Sequence, residues 1–354
     1  MKSLLGRQTL CWCKDCRRDL YPVDSQALRL SYLDDSVALR APQRAELRAV
    51  PAQDHAVMTM PEAGLGSILE VISSARRRIC VKMFKLTCEP ILNSLIEARR
   101  RGVEVKVLLN PNRSDGSRAN DEAFETLQKG DVAVEWTNPA FYVTHEKSMV
   151  VDDLAFICTF NLADKYFTKT RGYAVVCRNP QEVEEVVAGF EADWHRTDFV
   201  PNRLVWSQAA EGNSRRHISQ LIDNAHSEIC IENPKLVDSC IVDHLVNALA
   251  RGVKVRFLSS GLKGLSEWDI VENSASLRTL MSKGAQVREI KKPKMHAKLV
   301  LVDGQRALVG SQNLDKSCFE LRRELGVIVE HPLPVSGLAH TFEADWAQSK
   351  PSSL

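Results

Sequence analysis

The chain lacks any apolar run long enough to cross a bilayer: nowhere do about 18 uncharged apolar residues follow one another. Its opening, MKSLLGRQTLCWC, also lacks the roughly 7–15-residue apolar stretch of a secretory leader, because Gly6, Arg7 and Gln8 interrupt it. We therefore expect a soluble cytoplasmic protein that meets a membrane, if at all, by peripheral contact. Charge of one sign is missing too. With 47 Lys+Arg against 45 Asp+Glu, the net +2 neither demands nor excludes a polyanionic partner, and local basic runs must decide. There are ten cysteines but no pattern of a disulfide framework. Cys80 and Cys230 lie inside apolar runs, where a reduced cysteine acts as a small core residue, which fits a reducing compartment. Cys11, Cys13 and Cys16 cluster without a fourth ligand nearby, so reduced surface thiols are preferred to zinc.

What is present is ordinary globular composition, 44% apolar and 26% charged over 354 residues, enough for two cores. The chain is also written twice. His145-Glu146-Lys147 with Asp152 returns about 150 residues later as His296-Ala297-Lys298 with Asp303. Ile72–Val81 answers to Ile222–Ile231, Arg101-Gly-Val-Glu-Val to Arg251-Gly-Val-Lys-Val, and FEADW stands unchanged at Phe190–Trp194 and Phe342–Trp346. The period exceeds any solenoid repeat, so these are two copies of one domain. We expect an N-terminal extension over 1–57, with a hairpin across Ala27–Ala41, then repeats at 58–200 and 201–354. In repeat 1 the patterns give strands at Ile79–Phe84 and Val103–Leu109, helices across Ile91–Arg101 and ending near Gly130, and a closing helix at Gln181–Trp194. This alternation predicts an α/β fold: two repeated mixed sheets flanked by helices, packed about a pseudo-two-fold axis.

In a strand, side chains two apart share a face, so His296 and Lys298 point together and Leu299 and Leu301 point away. Pairing Val302 with Ala307 sets Lys298 opposite Ser311 and His296 opposite Asn313. Pairing Val151 with Ala155 likewise sets Lys147 opposite Thr159 and His145 opposite Asn161. Asp152 and Asp303 fall in the turns and read as structural. A histidine can attack phosphorus while a second protonates the leaving oxygen. Lys147, Lys298, Asn161 and Asn313 would then surround the phosphate oxygens with donors. Two lysines in one pocket repel a cation, which argues against metal catalysis.

Both segments resemble the H-x-K-x4-D motif of the phospholipase D superfamily, and Gly310-Ser311-Gln312-Asn313 matches its accompanying G-S-x-N; Cys158-Thr159-Phe160-Asn161 fits more loosely. The resemblance covers about 58 to 348 and is similar to bacterial cardiolipin-synthase-like and phosphatidyltransferase proteins. It implies that the two motifs meet across the domain interface, that a phosphohistidine forms, and that no metal or other cofactor takes part. By that analogy His145 is the nucleophile and His296 the general acid, although the residues alone leave the roles interchangeable. The superfamily commonly adds an acidic residue after each motif to orient its histidine. Glu324 stands there in the second copy but Gly172 in the first, so Glu324 is expected to hold His296 and His145 to lack a carboxylate.

Lipid hydrolases, phosphatidyltransferases and endonucleases share this chemistry, so the motifs do not choose the substrate. Phe141, Tyr142, Phe160, Phe167 and Phe319 near the motifs, with the near-neutral charge, favour a phospholipid, hydrolysed or transferred to an alcohol. The alternatives are an endonuclease acting on DNA or RNA and a non-enzymatic lipid-binding scaffold. Arg76–Arg78 and Arg99–Arg101 read as solvated charges, whereas Lys291, Lys292 and Lys294 lead to His296. Trp194 and Trp346 read as packing residues. The oligomeric state is open, and a monomer suffices.

Overall fold

The structure, a computed structural model, describes residues 54–112, 116–208, 212–263 and 265–354. The expected N-terminal hairpin and the Cys11, Cys13 and Cys16 cluster lie outside the described residues.

Repeat 1 runs β1 (His55–Met60), α1 (Gly64–Ser73), β2 (Arg78–Met83), α2 (Glu89–Arg100), β3 (Glu104–Leu109), α3 (Asp121–Lys129), β4 (Ala133–Trp136), β5 (Val143–Thr144), β6 (Lys147–Val151), β7 (Leu154–Cys158), β8 (Thr170–Cys177) and α4 (Pro180–His195). Repeat 2 follows with β9 (Val205–Gln208), α5 (Ser214–Asp223), β10 (Glu228–Glu232), α6 (Ser239–Ala250), β11 (Lys254–Ser259), α7 (Glu267–Ser282), β12 (Gln286–Glu289), β13 (Lys294–Met295), β14 (Leu299–Val302), β15 (Arg306–Gly310), α8 (Lys316–Glu320), β16 (Arg322–Val329), α9 (Pro332–Gln348) and β17 (Lys350–Pro351). The closing helices start where the sequence marks them: Pro180 and Pro332 sit in the first turns, and Asn179 accepts from the Gln181 N–H as N-cap.

The first sheet has the order β1-β8-β7-β6-β2-β3-β4, and the second β17-β12-β11-β10-β14-β15-β16 with β9 along β16. In each, the strands linked through helices are parallel and the motif-bearing strands antiparallel. Each sheet is buried on both faces, so its strands read as near-continuous apolar runs. Ile79 and Val81 enter a core shared with α1 to α3, while Cys80 between them enters a central core. That central core joins Val150, Ile157 and Val175 of one sheet to Leu299, Leu301 and Val309 of the other. Phe190 and Phe342 of the closing helices fill its sides. A third core lies under α5 to α7. No disulfide joins any of the seven cysteines among the described residues, and Cys80 and Cys230 are buried in the central core.

Two short strands leave their own sheet. β5, just before His145, pairs in parallel with β16 of repeat 2, and β13, just before His296, pairs in parallel with β8 of repeat 1. The repeats are thus stitched together at the two motifs.

The hairpin register differs from the sequence expectation by one residue in both copies. Val151 pairs with Leu154 and Val302 with Arg306, leaving loops one residue tighter than expected. Asp152 and Asp303 make this possible by adopting positive φ, both 54°, a region open to aspartate. Continued along the strands, the register sets Lys147 opposite Cys158 and Lys298 opposite Gly310, not opposite Thr159 and Ser311.

Candidate active site

The exchanged strands place the histidines. His145 and Glu146 both donate their backbone N–H to the Arg323 carbonyl, each at 2.9 Å, and the His296 N–H donates to the Arg171 carbonyl at 3.1 Å. Each motif therefore hangs on the strand of the opposite repeat, one residue before Glu324 or Gly172. His145, His296 and Asn313 line one cavity of about 300 Å³, together with Phe84, Lys294 and Arg322. Lys147 and Lys298 lie buried behind it, each donating from Nζ to the carbonyl of its own motif's histidine.

Glu324 does not hold His296. Its carboxylate oxygens lie 2.9 and 3.0 Å from His145 Nδ1, so the acid of the second repeat serves the histidine of the first. His145 is the better supported of the two, the reverse of the sequence expectation. His296 Nδ1 faces the Thr159 carbonyl at 3.0 Å instead, and Lys298 Nζ lies 3.2 Å away. Both acceptors require a proton on Nδ1, leaving Nε2 of each neutral ring as the free nitrogen. The Phe84 ring packs edge-on against His145, and the Tyr166 ring against His296, each with centroids 4.8 Å apart.

Burial, and then the charges of Lys147, Arg322, Lys298 and Lys235, hold His145 well below the usual histidine range. Burial and then Lys298 and Lys147 do the same for His296. Burial lowers Lys147 to about 8, and burial followed by the neighbouring Lys147 holds Lys298 well below the lysine range. Buried cations that depress one another favour an anion between them. Burial raises Glu324, with Lys147 and Arg322 opposing.

Asn161 donates to the Tyr166 hydroxyl at 3.0 Å, and the side-chain oxygens of Asn161 and Asn313 are both buried without a partner. Such orphaned atoms mark where a ligand completes the hydrogen bonding. Thr159 and Ser311 serve the strands beside the histidines, and Ser311 also lies within hydrogen-bond reach of Glu324. Their hydroxyls accept the backbone N–H of Tyr173 at 2.9 Å and Leu325 at 3.0 Å, tying the strands that carry Gly172 and Glu324. Asp152 and Asp303 stand at the far hairpin ends. Asp152 accepts the N–H groups of Arg76, Arg77 and Arg78, and Asp303 those of His226, Ser227 and Glu228. The Arg76–Arg78 run owes its place to that backbone staple. Phe160, Phe167 and Phe319 belong to the cores rather than to the cavity.

Sequence reasoning missed the residues that brace the crossing. In the repeated FEADW, Asp193 pairs with Arg323 Nε at 3.0 Å, and Asp345 with Arg171 Nε at 2.6 Å. Each aspartate thus grips the arginine of the other repeat whose carbonyl holds the histidine of the aspartate's own repeat. The signal was a charged residue kept identical in two otherwise packing pentapeptides. Arg323 is further boxed by Phe141, Phe199 and Trp206, 4.7 to 5.0 Å from its guanidinium carbon.

Two His-x-Lys hairpins that meet across paired sheets around a cationic cavity define an enzyme of the phospholipase D superfamily. The family model described as "Cardiolipin synthase, PLD-like domain" matches residues 68–194 and again 218–346, and the chain belongs to that family. It is 24% identical over 337 residues to a cardiolipin synthase of Oceanobacillus iheyensis, covering 83% of this chain and 68% of that protein. It is 26% identical over 308 residues to cardiolipin synthase B of Shigella flexneri, covering 74% of this chain and 73% of that protein. Among solved structures, phosphatidylserine synthase of Haemophilus influenzae shares the fold with TM-score 0.67 at 15% identity, over 84% of this chain and 87% of that one. A polyphosphate kinase of Porphyromonas gingivalis does so with TM-score 0.68 at 14% identity, over 91% of this chain but only 52% of the kinase. Among the described residues no helix is long and apolar enough to cross a membrane.

Proposed function

We propose that the protein transfers a phosphatidyl group between alcohols, with His145 as the nucleophile and His296 as the acid and base. The observation that carries the roles is the unequal backing of the two rings. When His145 Nε2 attacks phosphorus, the ring gains positive charge, and a carboxylate at 2.9 Å on Nδ1 offsets it. His296 has only a carbonyl behind it, which stabilises imidazolium less and leaves a more willing proton donor.

In the first step the His145 nitrogen–phosphorus bond forms as the bond to the leaving oxygen breaks, and His296, doubly protonated once the phosphate anion lies beside it, gives that oxygen its Nε2 proton and becomes the neutral ring. In the second, the acceptor oxygen bonds to phosphorus, the phosphorus–nitrogen bond breaks, and His296 Nε2 takes the acceptor's proton. Lys147 and Lys298 provide the positive field for the phosphate throughout. The phospholipid assignment is supported by the names of the similar proteins and by exposed Tyr142, Trp268 and Leu321, apolar side chains near the cavity. To test it, the chain is incubated in chelator with phosphatidylglycerol vesicles and, separately, with single-stranded and duplex DNA. Phosphatidyl-transfer products from the vesicles are expected; cleaved DNA with intact lipid would make the protein a nuclease, and neither product would leave a lipid-binding scaffold.

A further inference from the structure

Arg322 forms the wall between the 300 Å³ catalytic cavity and a larger one of about 750 Å³; Lys235 and Asp269 are the other residues common to both. The shared lysine is committed, since its Nζ lies 2.7 Å from Asp269 and also pairs with Asp315. Glu320 in the outer cavity is held by Arg215 at 2.6 Å. Arg322 is different. Among the described residues no carboxylate pairs with it, its Nε is buried without a hydrogen-bond partner, and Nη1 reaches the Cys318 sulfur at 3.4 Å. Glu324, Asp315 and Asp269 act on it only from a distance, and a half-buried guanidinium with no anion in contact is costly unless a ligand supplies one. Nor does the fold need it there: the equivalent residue of repeat 1 is Thr170, whose hydroxyl bonds the Lys165 carbonyl at 2.9 Å. Beyond Arg322 the outer cavity opens past Val237, Leu321 and Trp268, the last two 52% and 72% exposed. The Leu321 carbonyl accepts the N–H of Tyr142, itself 68% exposed, so apolar surface gathers at the opening.

We propose that the outer cavity is the acceptor subsite, holding an alcohol that carries a phosphate or phosphodiester, with that phosphate on Arg322 and the hydroxyl reaching into the catalytic cavity. The inference rests on the transferase reading above and names its second substrate. The acceptor hydroxyl attacks the phosphorus held on His145, its proton passes to His296, and the phosphorus–nitrogen bond breaks, so no further reagent is needed. Any acyl part of the acceptor leaves along Leu321 and Trp268. A guanidinium matches a phosphodiester in two parallel hydrogen bonds and also keeps two anionic substrates side by side without repulsion.

The test is calorimetric titration of the full chain carrying His145→Asn, which prevents turnover, with monomeric dihexanoyl-phosphatidylglycerol. Two molecules per chain are expected, one in each cavity. Arg322→Gln should weaken one of them about tenfold or more, and Ser239→Trp, which obstructs the outer cavity alone, should leave one molecule per chain. A parallel titration with glycerol 3-phosphate separates the sources. Two per chain would show that the headgroup chemistry suffices, and one per chain beside two lipids would show that the acyl part is required. One molecule of dihexanoyl-phosphatidylglycerol per chain, or two in the Ser239→Trp chain with undiminished affinity, would overturn the proposal. Absence of phosphatidyl transfer by the unaltered chain, with two-site binding intact, would instead refute the transferase reading while the outer site stands.

Discussion

His145 and His296 occupy the same place in two copies of one motif, yet their surroundings differ in kind. Behind His145 stand a large acid and a small neighbour, Glu324 and Cys318; at the matching places around His296 stand a small residue and a large one, Gly172 and Tyr166. The two pairs differ in opposite senses, large for small and small for large, and the carboxylate goes to one ring only. Because β5 and β13 cross between sheets, each histidine is served by the opposite repeat. A duplicated site can therefore divide its labour by changing residues in one copy that act on the other.

The largest effect tests whether the halves form one site. His145→Ala and His296→Ala should each lower turnover by on the order of 10⁴-fold or more, and the double variant should be hardly worse, measured as initial rates of phosphatidyl transfer. Half activity in each single variant would mean two independent sites.

Lys298 sharpens the contrast between function and stability. Lys298→Met should cost about 10²-fold or more in rate. Its folded-state pKa is depressed, so the buried ammonium opposes folding wherever the unfolded lysine is charged, that is, below its ordinary pKa. The same variant should therefore melt a few degrees higher near neutral pH in a thermal scan. A fall in melting temperature would show that its hydrogen bonds to His296 and Thr159 outweigh the charge penalty.

Glu324→Gln removes the carboxylate from the favoured half, and a loss of roughly 10–100-fold is expected. His145 must be neutral to attack, and its lowered pKa places the acid limb of kcat/KM below the ordinary histidine range. An amide stabilises imidazolium less, so the variant's acid limb should move to still lower pH. The basic limb, set by loss of the proton from His296, should also begin below the ordinary histidine range, with a further fall as Lys147 loses its charge above about 8. A limb that moves up instead would place the carboxylate's influence elsewhere.

The smallest effect comes from copying one half onto the other. Gly172 has ordinary negative φ, but an added Cβ would lie 3.0 Å from Phe160 and 3.1 Å from the Thr159 hydroxyl. Gly172→Glu alone should destabilise by about 1–3 kcal/mol, and Tyr166→Cys in the same chain should recover part of it, as read by denaturant titration. No recovery would mean that the two positions do not compensate in volume.

Much of this was legible in the sequence because it repeats: two copies of His-x-Lys, the apolar runs around Cys80 and Cys230, and the closing helix at Gln181–Trp194 needed only local rules. The hairpin register escaped because it turns on two aspartates adopting positive φ, stapled by backbone groups some 75 residues distant. The pairing of Glu324 with His145, 179 residues apart, escaped because local spacing assigns an acid to its own repeat, and only strand exchange reassigns it. Asp193 and Asp345 were hidden by the aromatic residues beside them, which explain the FEADW repeat as packing until the opposing arginines are seen.

The central claim is that phosphorus is carried by the carboxylate-backed ring. It is tested most directly with a p-nitrophenyl phosphodiester, whose leaving group needs no protonation, mixed with the His296→Ala chain. The account predicts a burst of one p-nitrophenolate per chain and, by peptide mass spectrometry, a phosphoryl adduct on His145. A burst with the adduct on His296 in the His145→Ala chain, and none in His296→Ala, would contradict it.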